Sequence, residues 1–123
     1  MLVVGDNLES LAAMVSLLRA LGHEPVSAAS GRPAIQVAAE QPVDVVLLDI
    51  QMPGMDGFET ARALRRNAAL AEVPLVALTA LAMPGDRELI LDAGFSGYIA
   101  KPIDPGRLAG QLASFLPPDT GRP

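Results

Sequence analysis

The chain contains no cysteine, which excludes disulfides and thiolate chemistry. Its single histidine, His23, is too little for a zinc site and reads as a surface turn residue. Aromatic residues are scarce, at three Phe and one Tyr, so the core has to be aliphatic. Positive charge is also in short supply. Nine Lys and Arg against fourteen Asp and Glu leave a net charge of −5. That excess argues against nucleic acid as a direct partner, because binding it takes a basic surface. It suits a divalent cation or a basic protein surface instead. No apolar run is long enough for a bilayer: the longest nearly uncharged stretch, residues 73–85, holds Pro74 and Pro84. The start lacks the basic-then-apolar pattern of a signal peptide, so a cytoplasmic protein away from the membrane is expected.

What is present is a strong alternation. With 123 residues, half of them apolar, the chain fits one domain with a real core. Leu2-Val3-Val4 reads as a short strand, and its abrupt start fits either a chain that begins there or a piece of something longer. Leu11, Val15, Leu18 and Leu21 recur at helical spacing behind Asp6 or Asn7 as N-cap, and Gly22 stops that helix. Residues 24–29 form a weak second strand. A second helix runs from about Ser30 to Glu40 with Ile35, Ala38 and Ala39 inward. Residues 43–49 form the third strand, ending on Asp49. Asp56 is expected to cap a third helix with Phe58, Ala61 and Leu64 inward and Arg62, Arg65 and Arg66 toward water. Residues 74–79 form a fourth strand, residues 84–93 a fourth helix ended by Gly94, and residues 98–100 a fifth strand. Asp104 caps a last helix that starts at Pro105 and buries Leu108, Leu112 and Phe115.

Continuous apolar strands alternating with amphipathic helices predict an α/β, doubly wound domain: a five-stranded parallel sheet flanked by five helices. The domain is expected over residues 1–116, with 117–123 a disordered tail or linker stub. In such a sheet the carboxyl ends of the strands converge on one crevice. Gly5-Asp6, Asp49, Thr79 and Lys101-Pro102 all follow or end strands. A crevice with two carboxylates, a hydroxyl and an ammonium suits a phosphoryl group held with magnesium, which usually takes one or two carboxylates plus phosphate and water. Asp49 can serve there as nucleophile, metal ligand or both. Gly54 and Gly57 lack phosphate-loop spacing and read as turn formers.

These motifs resemble the receiver domain of bacterial two-component response regulators, over essentially the whole chain. The resemblance is carried by Leu2-Val3-Val4-Gly5-Asp6-Asn7, by residues 45–57 around Asp49, by Pro74-Leu75-Val76-Ala77-Leu78-Thr79-Ala80, and by residues 93–103 ending in Lys101-Pro102-Ile103. It implies a flavodoxin-like fold with strand order 2-1-3-4-5. It implies Asp49 as phosphoacceptor, with Asp6, Asp49 and the backbone carbonyl of Gln51 holding Mg2+. Asp6 would cap the first helix as well. Thr79 and Lys101 would bind the new phosphoryl group, Tyr98 would change rotamer with Thr79, and Pro102 would follow a cis peptide bond. The implied partners are a sensor histidine kinase or histidine phosphotransfer protein and a downstream protein target, with a homodimer possible. Output would pass through the surface of helix four, strand five and helix five.

A signalling module is expected, not an enzyme with a free substrate, whether standalone or excised from a hybrid kinase or larger regulator. One departure stands out. Gly5 occupies a position where the family usually has an acid, which weakens the expected metal site. The rival reading is therefore a pseudo-receiver, a phosphate-independent interaction module. An aspartyl phosphatase would want a second acid at position 51, where Gln51 stands. A flavin carrier would want a phosphate loop in place of the acidic Gly5-Asp6-Asn7-Leu8-Glu9.

Overall fold

A computed structural model describes residues 1–50, 57–80, 85–101 and 103–115 of the chain. Expectations for Gln51, Asp56, Pro102 and the tail at 117–123 lie outside the described residues. The elements run β1 Leu2–Val4, α1 Leu8–Ala20, β2 Val26–Ala28, α2 Gly31–Glu40, β3 Val46–Asp49, α3 Gly57–Arg65, a 3-10 turn Ala68–Leu70, β4 Leu75–Thr79, α4 Asp86–Asp92, β5 Gly97–Ala100 and α5 Pro105–Ala113. The strands pair in the order β2-β1-β3-β4-β5, all parallel. The expected doubly wound α/β architecture is what forms.

Alternation along each strand decides which helices cover which face. Leu2, Val4, Val46, Leu48, Leu75 and Ala77 pack with Ala34, Ala38, Ala61, Leu64 and Ile90 of α2, α3 and α4. Val3, Leu47, Val76, Leu78 and Ile99 pack with Met14, Leu18, Leu108 and Leu112 of α1 and α5. Both faces being buried explains why the strands read as continuous apolar runs and not as alternating ones.

Local chemistry sets the helix ends. Asn7, not Asp6, caps α1: its Oδ1 accepts from the Ser10 amide at 3.0 Å. Asp104 caps α5 as expected, with Oδ1 accepting from the Gly106 amide at 2.9 Å. Gly22 and Gly94 terminate α1 and α4 with left-handed backbone. Several bounds differ from expectation. Strands β2 and β3 are shorter than the apolar runs, because ladder pairing ends before hydrophobicity does. In α2 the buried positions are Gly31, Ala34 and Ala38, while Ala39 is exposed. The 3-10 turn after α3 was not expected.

Gly57 opens α3 where no side chain fits. Its amide donates to the Ile50 carbonyl at 3.3 Å, and a Cβ there would lie 2.2 Å from the Ile50 Cα. This contact fixes the two ends of the segment after β3. Gly110, in α5, has open space at the same position. Gly57→Ala should therefore cost about 2–3 kcal/mol, as overpacking against backbone does. Gly110→Ala should gain about 0.5–1 kcal/mol from helix propensity. Urea denaturation of the two variants checks this pair, and equal stabilities would contradict the close approach at Ile50.

Candidate functional site

Because every strand is parallel, the carboxyl ends of β1, β3, β4 and β5 open on one edge of the sheet. Asp49 ends β3, only 9% exposed, in register with Leu78 of β4. Thr79 ends β4 and is fully buried. The Lys101 amide donates to the Thr79 carbonyl at 2.8 Å, carrying the β4–β5 ladder one residue past β5. That bond brings the Lys101 side chain over the site. Its Nζ lies 2.8 Å from Oδ2 of Asp49. Lys101 is the only lysine in the chain.

The pair joins residues 52 positions apart, so sequence spacing alone could not have measured it. Its energetic weight is modest. The Lys101 side chain stays about one-third exposed, and such pairs contribute roughly 0–1 kcal/mol to stability. Its value is positional: it fixes the direction of a nearly buried carboxylate and compensates its charge.

The other expected residues are placed less uniformly. Asp6 follows β1 and is exposed; it does not cap α1, because Asn7 does. Tyr98 lies on β5 beside Ala77 with its ring 43% exposed, outside the pocket. Gln51 and Pro102 lie outside the described residues. Gly5 is buried next to Asp49, and a Cβ added to it would meet only the Asp49 Cβ, at an ordinary 3.7 Å.

The donor set suits a hard divalent cation. Asp49 and Asp6 are carboxylates at the ends of adjacent strands, and Gly5 leaves room beside Asp49. Among the described residues no three His, Cys, Asp or Glu side chains converge. Magnesium needs no such cluster, since it keeps waters and shares phosphate oxygens.

A groove of about 870 Å3 runs from this site along α1. Leu11, Met14 and Leu17 of α1 form one wall, Ile103 and Pro105 lie across it, and Asp49 and Lys101 are among its lining residues. Leu8, at the start of α1, is 70% exposed. Sequence reading missed the groove, since helical periodicity identifies the apolar stripe of α1 but not how much of it α5 leaves uncovered. It also misplaced Arg65, which is not on a solvated face. Arg65 is half-buried and donates to the carbonyls of Leu70, Val73 and Gly94. Among the described residues no helix is long and apolar enough to cross a membrane.

Comparison with known proteins agrees with this geometry. The family of the response regulator receiver domain matches residues 1–113. The polar-differentiation response regulator DivK of Brucella ovis is 36% identical over 115 residues, covering 94% of each chain. The chemotaxis protein CheY4 of Vibrio cholerae superposes with a TM-score of 0.89 at 30% identity, covering 94% of this chain and 96% of that one. The receiver domain of the sensor histidine kinase PA1611 of Pseudomonas aeruginosa superposes with a TM-score of 0.84 at 36% identity, covering 93% of each chain. That structure has a magnesium ion coordinated in its active site cleft.

Proposed function

The chain belongs to the response regulator receiver family of two-component signalling, and from that premise we propose that Asp49 is its phosphoacceptor. The observation that supports this most is the nearly buried Asp49 carboxylate held by the chain's one lysine at the open edge of a parallel sheet. The phosphoryl group would come from a histidine of a sensor kinase or phosphotransfer protein. The N–P bond of the donor breaks, an O–P bond to the Asp49 carboxylate forms, and the donor imidazole keeps the electron pair of the broken bond.

Little covalent work falls to the protein, so positioning and charge stabilisation dominate. Lys101 aims the carboxylate before transfer and then pairs with a phosphoryl oxygen. Thr79 donates its hydroxyl to another. Asp6, Asp49 and the Gln51 carbonyl would hold magnesium, which supplies charge neutralisation when bound. The groove along α1, lined by Leu11, Met14 and Leu17, suits an apolar helix of the phosphodonor lying beside Asp49.

The protein works as a signalling module on residues 1–116, in the cytoplasm, without free substrate turnover. Its output passes by protein contact through the surface of α4, β5 and α5, where Leu89 and Tyr98 are exposed. Transfer draws Thr79 inward and opens space for Tyr98, shifting a pre-existing equilibrium of that surface. Tyr98 is the only tyrosine and the chain has no tryptophan. Its fluorescence should therefore change when magnesium and beryllofluoride are added together. An identical spectrum with and without them would refute the switch.

Gly5 keeps the second reading alive, a pseudo-receiver that signals without phosphate. Intact mass after incubation with magnesium and acetyl phosphate separates the two. We expect a gain of one phosphoryl group, absent in Asp49→Asn. We also expect Gly5→Asp to bind magnesium about tenfold more tightly, as one added charge at short range predicts. No mass gain in the natural chain, with a gain in Gly5→Asp, would establish the pseudo-receiver.

A further inference from the structure

The groove that starts at Asp49 is far larger than phosphoryl transfer requires. Its volume is about 870 Å3, within the range of about 300–1,000 Å3 that holds whole small molecules. One end is charged: Asp49 and Lys101 line it as an ion pair 2.8 Å apart. The rest is apolar. Val3 and Leu78 of the sheet lie beneath it and are buried. Leu11 and Leu17 of α1, with Ile103 before α5, form its sides and are only half-buried. The fold itself leaves this apolar surface partly in water. No charged side chain besides the ion pair lines the groove, and its polar side chains are Asn7, Ser10 and Ser16. Asn7 already engages its Oδ1 with the Ser10 amide. What remains matches too few hydrogen-bonding groups for a sugar or a nucleotide. The occupant that complements both parts carries an anionic phosphate at one end and an uncharged apolar body at the other.

We propose that this groove sets the class of small phosphodonor the protein accepts: an acyl phosphate with an apolar acyl chain longer than acetyl. The chain lies between Leu11, Leu17 and Ile103 while the phosphorus meets Asp49. The proposal rests on the reading of Asp49 as phosphoacceptor. In the transfer, the bond from phosphorus to the acyl oxygen breaks and a bond from phosphorus to an Asp49 carboxylate oxygen forms. The leaving carboxylate keeps the electron pair, and no proton moves. The groove takes no part in that exchange. It binds the portion of the donor that does not react, which raises the rate at low donor concentration. Leu11, Leu17 and Ile103 are thus specificity-determining residues, and the methyl of acetyl phosphate is too short to use them. A small donor places its chain where a protein donor would lay its helix.

Phosphorylation of the full chain by acetyl, butyryl and hexanoyl phosphate, with magnesium and followed by intact mass, tests this. Straight-chain carboxylates are leaving groups of nearly equal acidity, so a rise with length comes from the body of the donor. Each added methylene should raise the second-order rate constant about two- to fourfold, the worth of a buried CH2. Hexanoyl phosphate should therefore react at least about tenfold faster than acetyl phosphate. Ala13 lines the groove from an exposed position on α1. In Ala13→Phe, which fills the groove, the ratio of the hexanoyl to the acetyl rate should fall to about one, whatever each rate becomes. Equal rates with all three donors in the natural chain would overturn the proposal and leave Asp49 as phosphoacceptor intact. A length dependence that survives Ala13→Phe would overturn it too. If no donor transfers, the phosphoacceptor reading fails, and alkylphosphonates, which cannot transfer, decide the groove. With magnesium present, hexylphosphonate should shift the methyl NMR signals of Leu11 and Leu17 at concentrations at least about tenfold below ethylphosphonate. Equal affinities, or no shift at those methyls, would overturn the proposal.

Discussion

The site depends on one ion pair, Lys101 with Asp49. A carboxylate at the end of a buried strand has lost much of its water and needs a compensating charge. The nearest strands supply none, since Val3, Val4, Leu78 and Thr79 are uncharged. The charge arrives from beyond β5, across β4, and only the parallel order β3-β4-β5 makes that reach short. The Lys101 amide bond to the Thr79 carbonyl sets where the side chain starts. The sheet is thus the device that turns distant residues into neighbours.

Function and stability are divided between the two edges of this sheet. The edge with Asp49 gathers charge, space and an apolar groove, the features on which the proposed binding of a phosphodonor and a cation rests. The opposite edge is knitted by Arg65 and Ser96 into a dense set of backbone hydrogen bonds. Such a division lets one edge stay open to ligands, because the strand register is secured at the other. The proposed phosphoryl chemistry at Asp49 is its consequence.

Much of this was legible in the chain because it rested on local rules. Asp104 before Pro105 specifies a capped helix start, and Gly22 and Gly94 specify helix ends. Apolar runs between amphipathic stretches specify a covered parallel sheet. The Asp49–Lys101 meeting followed from topology plus the family resemblance. What stayed illegible depended on tertiary packing. A helical wheel places Arg65 toward water, and nothing local reveals that the chain after α3 folds back to present carbonyls to it. The choice of Asn7 over Asp6 as cap turns on one residue of helix register. The replacement of Ala39 by Ala34 on the buried face of α2 is the same kind of error, a small rotation that alanine-rich periodicity does not fix.

The most direct test is the ammonium NMR spectrum of Lys101, which no other lysine can obscure. A side-chain ammonium signal that exchanges slowly with water, correlates through its hydrogen bond with the Asp49 carboxylate and vanishes in Asp49→Asn is the predicted result. An ammonium in rapid exchange with water, unchanged by Asp49→Asn, would contradict the account.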